Sequence, residues 1–563
     1  MRKLKLHTQQ DWRGTGSDIL FLTLTMSLLL LVLIGSRPLF VPDEGRYAEI
    51  AREMVVRGDY ITPHLNGIKY FEKPILFYWL GAAAIKLGGN SITALRSINA
   101  ILAILGCLLT YLTGRKLYGR KAGLIAAIVL GTSTLYFVMA HMVSLDLPVT
   151  VFLTAGLYGF LLAAKSKHNA RSRLLLLGAA AAAALAVLTK GLIGIVFPAM
   201  IAIAWMTLMG QWHQLKRLPI FSALFVFLLI AAPWHIIVNQ LNPEFFRFYF
   251  IEQHFLRYTT MDVGHYQPAW FFIPTLLGGF FPWIVFFPQA LITSFPRHFR
   301  ERGRYSSELF LVIWITLVFA FFSFSKSKLI PYILPVIPPM ALLTGRYLAK
   351  YLDKPSRGLV VGYAALVLLA IMTGYFLWNL NIPVAHPTHA TMLLRLSIIA
   401  FSIGTLLSLM TVLRSPQNAL IIAMIATATF LIISFGSIRY IDTRTIQPLA
   451  ETIKSLRQPG DEVITYNQYY QDLPFYLEQR VTILNWQNEL GYGMQHQDTR
   501  EWMIDNDQFW LRWRNKKHRI FMVMSKDEYQ LFYKRFPHDK IILLNETPSN
   551  VLVTNQPLAI APT

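Results

Sequence analysis

Residues 74–88 read PILFYWLGAAAIKLG, and whether this run crosses a membrane sets the topology of everything after it. It is shorter than the roughly twenty apolar residues that span a bilayer as a helix. Longer apolar runs lie near 18–37, 93–114, 121–141, 147–164, 174–190, 191–210, 218–239, 269–292, 308–325, 329–348, 358–378, 391–413 and 418–438. Suppose the N-terminus is inside and 74–88 lies at the outer surface. The basic loops RKLYGRK (115–121), KSKHNARSR (165–173), QLKR (214–217), RHFRERGR (297–304), RYLAKYLDKPSR (346–357) and LRSPQ (413–417) then all fall on one side. Lys and Arg accumulate in cytoplasmic loops, so this reading gives thirteen spans. It also gives an external loop, 39–92, with two juxtamembrane helices, and an external segment from 440 to 563.

Composition agrees with a polytopic α-helical membrane protein. The chain has 563 residues, of which 54% are hydrophobic and only 15% charged, against about 25% charged in soluble domains. The net charge of +22 fits basic cytoplasmic loops beside anionic lipid, and no nucleic-acid partner is expected. Cys107 is the single cysteine, which excludes an internal disulfide. The first apolar run is too long for a signal peptide and no small-residue cleavage site follows it, so it reads as an uncleaved span. The domains are accordingly 1–439 in the membrane and 440–563 outside. In the latter, the strand-like runs EVITYN, VTILNW, RIFMVMS, KIILLN and NVLVTN alternate with the helix-like IQPLAETIKSLR and KDEYQLFYKRF. These periods of two and 3.6 predict a small α/β domain with a structural or acceptor-docking role.

The external side collects unusual residues. Loop 39–92 carries Asp43, Glu44, Arg46 and Tyr47, then YFEKPILFYW with Tyr70, Glu72, Lys73 and Tyr78. MVSLDLP presents Asp146, LTKGL presents Lys190, FIEQHFLRY presents Glu252, His254 and Arg257 ahead of His265, and FSFSKSKLIPYILP presents Lys326 and Lys328. Charge beside a membrane-embedded site is costly and usually functional, and several cations meeting at one point suit a phosphate. Each residue also has an ordinary reading. Asp43 can cap a helix with Glu44 in its first turn, Lys190 can snorkel, and the tyrosines and Trp79 can form an aromatic belt. Co-location on one face favours the functional reading. A helix over 43–54 would place Asp43, Arg46 and Tyr47 on one stripe with Ile50 and Met54, able to rest on the membrane while offering an acid and a base.

PDEGRYAEIAREM (42–54), YFEKPILFYW (70–79), LDLP, LTKGL and SKSKLIPYILPVIPPMALL (325–343) together resemble the bacterial 4-amino-4-deoxy-L-arabinose lipid A transferases. These are membrane glycosyltransferases of the GT-C fold, related to protein O-mannosyltransferases, and the resemblance covers almost the whole chain. It implies an inverting transfer of the aminopentose from undecaprenyl phosphate to a lipid A phosphate at the periplasmic face of the inner membrane. A lipid-linked hexose or hexosamine moved to lipid A, LPS core or a protein hydroxyl is the alternative. By the resemblance, Asp43 is the main catalytic carboxylate and Asp146 matches the acid at the outer end of the third span. Arg46 and Lys73 would hold the donor phosphate, aided by Lys190, Arg257, Lys326 and Lys328, while Tyr47 and Tyr70 line the site. Glu72 would join His254 or His265 on a divalent metal, zinc by the family's pattern. No nucleotide cofactor is expected, and the enzyme is expected to be a monomer.

Overall fold

The computed structural model describes residues 14–166, 169–212, 218–256, 266–379, 387–515, 517–536 and 541–557. The helices begin α1 (Thr15–Leu31), α2 (Asp43–Arg57), α3 (Leu76–Gly88), α4 (Ile92–Tyr118), α5 (Arg120–Gly131), α6 (Thr134–Ala140), α7 (Asp146–Lys165), α8 (Ala170–Lys190), α9 (Ile193–Met209) and α10 (Ile220–Leu241). Polar caps mark several boundaries. Ser91 accepts from Ala94 N at 3.2 Å to start α4, and Asn169 accepts from Ser172 N at 3.1 Å to start α8, the usual use of short polar side chains at helix starts.

Among the described residues, eight helices are long and apolar enough to cross a membrane, or ten if each bent pair counts as one span. The eight are α4, α7, α8, α10, Ser306–Phe324, Arg357–Trp378, Thr388–Val412 and Pro416–Ile441. The bent pairs are α5 with α6, at 64°, and Ala269–Gly279 with Trp283–Ile292, at 102°. Three expected spans are shorter than predicted. Helices α1 and α9 have 17 residues each, and run 329–348 opens as a 3-10 segment, Ile330–Val336, before a 14-residue helix, Ile337–Lys350. Pro331 and Pro335 sit in that segment, and each removes an N–H from the α ladder. Helix α7 lies at the centre, with 72% of its apolar window buried, whereas only 17% of that of α10 is. On α10, Leu224, Phe225, Leu228 and Leu229 are exposed; a stripe of that kind belongs against lipid tails.

The two ends of the bundle are held differently. At one end Asp18 is buried and accepts from Arg115 at 2.9 Å, Arg120 at 2.6 Å and Tyr111 at 2.6 Å, tying α1, α4 and α5. At the other end sit α2, α3 and a hairpin of β1 (His64–Leu65) and β2 (Ile68–Lys69). Its turn is Asn66-Gly67, with φ of 52° and 79°, the left-handed pair that a two-residue hairpin demands.

Residues 447–557 form an α/β domain on that same end. Its sheet runs β5-β4-β3-β6-β8-β7, from β3 (Glu462–Tyr466), β4 (Thr482–Leu484), β5 (Met503–Ile504), β6 (Ile520–Ser525), β7 (Ile542–Glu546) and β8 (Asn550–Thr554). Strands β3 to β6 pair in parallel, while β7 and β8 pair antiparallel at one edge. The five strand-like runs of the sequence all appear; the two-residue β5 and the helix Asn506–Asn515 are additional.

This domain docks directly on loop 39–92. Asn66 exchanges two 2.9 Å hydrogen bonds with the backbone of Val481, and Trp502 donates to Asn66 O at 3.0 Å. Gln497 bridges Lys69 N and Gly67 O, and Leu39 N donates to the Tyr476 hydroxyl at 2.9 Å. Gly45 packs so closely that a Cβ there would fall 2.6 Å from Asp472 N. Helix α2 is therefore not a surface helix resting on the membrane. Glu44, Gly45 and every residue from Tyr47 to Met54 are buried, because protein covers the stripe that was expected to face lipid.

Candidate functional site

Glu44 is the most heavily bonded carboxylate at this end. It is fully buried and accepts from Arg37 at 2.6 Å, from Arg96 twice at 2.9 Å, and from the backbone N–H groups of Phe40 and Val143 at 2.8 Å each. Burial alone would raise its carboxyl, but Arg96 and Arg37 outweigh that and hold it at about 2. Arg96 is also buried and donates to the carbonyls of Ile34, Arg37 and Pro38. A buried charge persists when paired and hydrogen-bonded in this way. Glu44 is thus the clamp between α2, the segment that leads into it from α1, α4 and the turn before α7, and the expectation of a simple first-turn acid is corrected.

Asp43, one residue earlier, is 51% exposed. It makes no cap hydrogen bond, since Pro42 occupies the N-cap position; its Oδ1 instead accepts from Arg46 at 3.1 Å. The other arm of Arg46 meets Glu489 of the C-terminal domain at 2.5 Å. Glu489 is 9% exposed and accepts from Gln471 at 2.9 Å; burial raises its carboxyl, with Arg46 opposing. Tyr47, Tyr70 and Tyr78 are all buried, not arranged as a belt. The Tyr47 ring packs edge-on to Phe77 at 5.7 Å. Burial pushes its hydroxyl well above the ordinary range, with Asp43 and, further down, Asp146 adding to the shift. The Tyr70 and Tyr78 hydroxyls are buried without a hydrogen-bond partner among the described residues, as is Arg46 Nε. Trp79 also has a specific role, donating to Tyr60 O at 2.7 Å.

Beside this cluster, Asp146 opens α7 and ion-pairs with Lys190 at the end of α8. Ser144 donates to the second Asp146 oxygen at 3.1 Å, and Lys190 Nζ lies 4.4 Å from the centre of the Tyr332 ring. Lys190 therefore has a definite partner, in place of the snorkelling alternative. Lys73 Nζ donates to the Glu72 carbonyl at 3.1 Å. Lys328 is buried and donates to the carbonyls of Gln267 at 2.7 Å and Ser325 at 2.6 Å, next to the Tyr266–Ser327 bridge. Two of its three protons tie it to backbone carbonyls. Lys326 is half-buried. Arg257 and His265 lie outside the described residues, and His254 is described only as backbone within the helical segment Arg247–Leu256. Among the described residues no three His, Cys, Asp or Glu side chains gather as metal ligands.

The structure thus brings together Asp43, Arg46, Tyr47 and Tyr70, with Asp146 and Lys190 alongside. Arg46, expected on a phosphate, has two carboxylate partners. Glu489 is the member that sequence reasoning missed: NEL lies in an unremarkable helical turn of a domain that carries no catalytic motif, and only tertiary packing brings it to Arg46.

A polytopic helical bundle whose one end carries an acid-and-cation cluster under an α/β domain is the architecture of the GT-C membrane glycosyltransferases. The chain belongs to the undecaprenyl phosphate-alpha-4-amino-4-deoxy-L-arabinose arabinosyl transferase family. Residues 20–249 match the family model for dolichyl-phosphate-mannose-protein mannosyltransferase, and residues 449–555 match the aminoarabinose transferase C-terminal domain. A transferase of this name from Erwinia tasmaniensis is 34% identical over 383 residues, covering 66% of this chain and 67% of the relative. One from Pseudomonas fluorescens is 28% identical over 528 residues, covering 90% and 93%. The crystal structure of ArnT from Cupriavidus metallidurans bound to undecaprenyl phosphate superposes with a TM-score of 0.85 at 26% identity, covering 98% of this chain and 100% of that one. An archaeal oligosaccharyltransferase, AglB from Archaeoglobus fulgidus, shares the fold at a TM-score of 0.51 and 13% identity.

Proposed function

We propose that this protein transfers 4-amino-4-deoxy-L-arabinose from undecaprenyl phosphate to a phosphate of lipid A, with inversion, at the periplasmic face of the inner membrane. The observation that carries the reading is Asp43. In a chain of this family it is the half-exposed carboxylate of a cluster in which Tyr47 and Tyr70 are buried and Arg46 and Glu489 are 14% and 9% exposed. Arg120, Lys121, Lys350 and Arg357 flank helix ends remote from this cluster, which supports a cytoplasmic N-terminus by the positive-inside bias. The enzyme is read as acting as a monomer.

In the transfer, an acceptor phosphate oxygen forms a bond to the anomeric carbon while the bond from that carbon to the carrier phosphate oxygen breaks. The electron pair leaves with undecaprenyl phosphate. An anionic acceptor needs little deprotonation, so Asp43 orients it and takes its last proton. Arg46 and Lys73, aided by Lys190, Arg257, Lys326 and Lys328, stabilise the departing phosphate, a role in which preorganised cations in a water-poor cleft are most effective. Asp146 holds Lys190 in place. A divalent ion would sit on Glu72 with His254 or His265. Glu72 is the one of these whose side chain is described, and no step here passes through a metal.

The test is mass spectrometry of lipid A from cells lacking their own transferase and supplied with this protein. An aminopentose increment that disappears with Asp43→Asn, while folded protein stays in the membrane, is the expected result. A hexosamine increment, or an unchanged aminopentose increment in the variant, would overturn the substrate or the role of Asp43 respectively.

A further inference from the structure

The end of the bundle remote from Asp43 carries a groove and a basic loop that meet. Lys165, at the far end of α7 from Asp146, donates to Ser307 there, and the Trp205 indole donates to Ser306 O at 2.8 Å, fixing α9 beside the helix Ser306–Phe324. Along these two helices runs an open groove of about 320 Å³. Ala204 and Leu208 form one wall, and Val312, Ile313, Thr316 and Leu317 form the other, in pairs four residues apart that line one face of each helix. Ile203 beside it is 55% exposed, so the groove opens towards lipid tails. Loop 293–305 reaches the groove at Leu208: Arg302 Nε donates to Leu208 O at 3.1 Å, and its guanidinium lies 4.2 Å from the centre of the Phe299 ring. The loop also holds Arg297, Arg300 and Arg304, all exposed, and a single acid, Glu301. Ile292, Phe295 and Phe299 are 73%, 47% and 64% exposed. Cations interleaved with exposed apolar side chains at the end of a bundle suit an anionic lipid surface.

We propose that this is a binding site for an anionic phospholipid of the leaflet opposite the reaction centre. One acyl chain lies in the groove, and the headgroup phosphate meets Arg302 with Arg304 beside it. A guanidinium carries five N–H donors. Among the described residues those of Arg302 that are bonded go to the Leu208 and Phe299 carbonyls through Nε and Nη1, which leaves Nη2 for a phosphate at the mouth of the groove. Hydrogen bonds from guanidinium to phosphate are among the strong ones. A zwitterionic headgroup would bring its own cation to the same arginines, so a net negative one is preferred. Free phosphate would use the arginines and leave the groove empty; the groove is what makes the ligand a lipid. Once seated, the lipid joins α9 to Ser306–Phe324. The inference does not depend on which sugar or acceptor the enzyme uses.

The experiment gives the delipidated full-length protein, in detergent, phosphatidylglycerol or phosphatidylcholine with identical acyl chains. Bound lipid is counted by native mass spectrometry and the melting temperature is followed alongside. The wild type is expected to hold phosphatidylglycerol, with a raised melting temperature, and to bind phosphatidylcholine more weakly. The double variant Arg302→Gln/Arg304→Gln should weaken phosphatidylglycerol roughly 30-fold, the effect of two arginines at a membrane surface, and leave phosphatidylcholine unchanged. Ala204→Phe fills the groove with the arginines intact; it should weaken phosphatidylglycerol while its lipid-free melting temperature stays at the wild-type value. Equal binding of the two lipids by the wild type, or unchanged phosphatidylglycerol binding in the arginine variant, overturns the proposal. So does inorganic phosphate raising the melting temperature as much as phosphatidylglycerol does, because the groove would then have no part in binding.

Discussion

Asp43 and Glu44 are adjacent acids at the start of one helix, and the structure uses them in opposite ways. Glu44 is fully buried with five donors on its two oxygens, so its charge is consumed in holding α2, α4 and the segments before α2 and α7 together. Asp43 is half exposed and, among the described residues, has the Arg46 contact alone, which leaves lone pairs for a ligand. A carboxylate is free to do chemistry here because its neighbour carries the structural work.

Several measurements would break or sharpen that contrast. The largest effect is expected from Glu44→Ala. It leaves Arg37 and Arg96 buried without their anion, a loss of about 3–5 kcal/mol for a broken buried pair, read as a collapsed melting temperature in detergent or absence of the protein from the membrane. Asp43→Asn should leave that temperature unchanged and lower the transfer rate about a hundred- to ten-thousand-fold, the range of a proton-handling group; a normal rate would make the two acids alike after all. Lys328→Met removes two charged hydrogen bonds to carbonyls and should cost about 1.5–3 kcal/mol, seen as a lowered melting temperature at both neutral and mildly acidic pH.

The smallest effect is a slope. Asp472 is buried with both oxygens unpartnered among the described residues, and burial pushes its carboxyl from 3.8 to about 8. Between those values the folded state keeps a proton that the unfolded state has lost, so stability is greatest below the lower value and declines as pH rises towards the upper one. Burial raises Glu49 to about 8 as well, against Arg52. The melting temperature should fall between pH 5 and pH 8, and Asp472→Asn should make that fall shallower. An identical slope in the variant would show that Asp472 does not titrate there.

What the sequence made legible follows the range of the interactions. Apolar runs as long as those of α4, α7 or Pro416–Ile441 announce themselves, since lipid exposure is written locally in each residue. The α/β domain was readable for the same reason, with strand and helix periods alternating in turn. Pro331 and Pro335 were visible too, yet the 3-10 segment they impose was hidden inside an apolar run of spanning length. At the site, Asp43, Arg46, Asp146 and Lys190 were reachable from charge placed on one face. Glu44's network and Glu489's contact were not, because both depend on partners distant in sequence. The burial of α2 was misjudged for a related reason: its apolar stripe shows that something covers it, and not whether lipid or protein does.

Gly45 next to Asp472 leaves no room for a methyl group between the two domains, and Arg46 is the very next residue. Chain synthesis runs from the N-terminus, so the helix bearing Asp43 and Arg46 emerges before Glu489. The seam at Gly45 closes only when the later-made α/β domain seats against the earlier-made loop. A chain interrupted between the two therefore carries an Arg46 without its Glu489 partner.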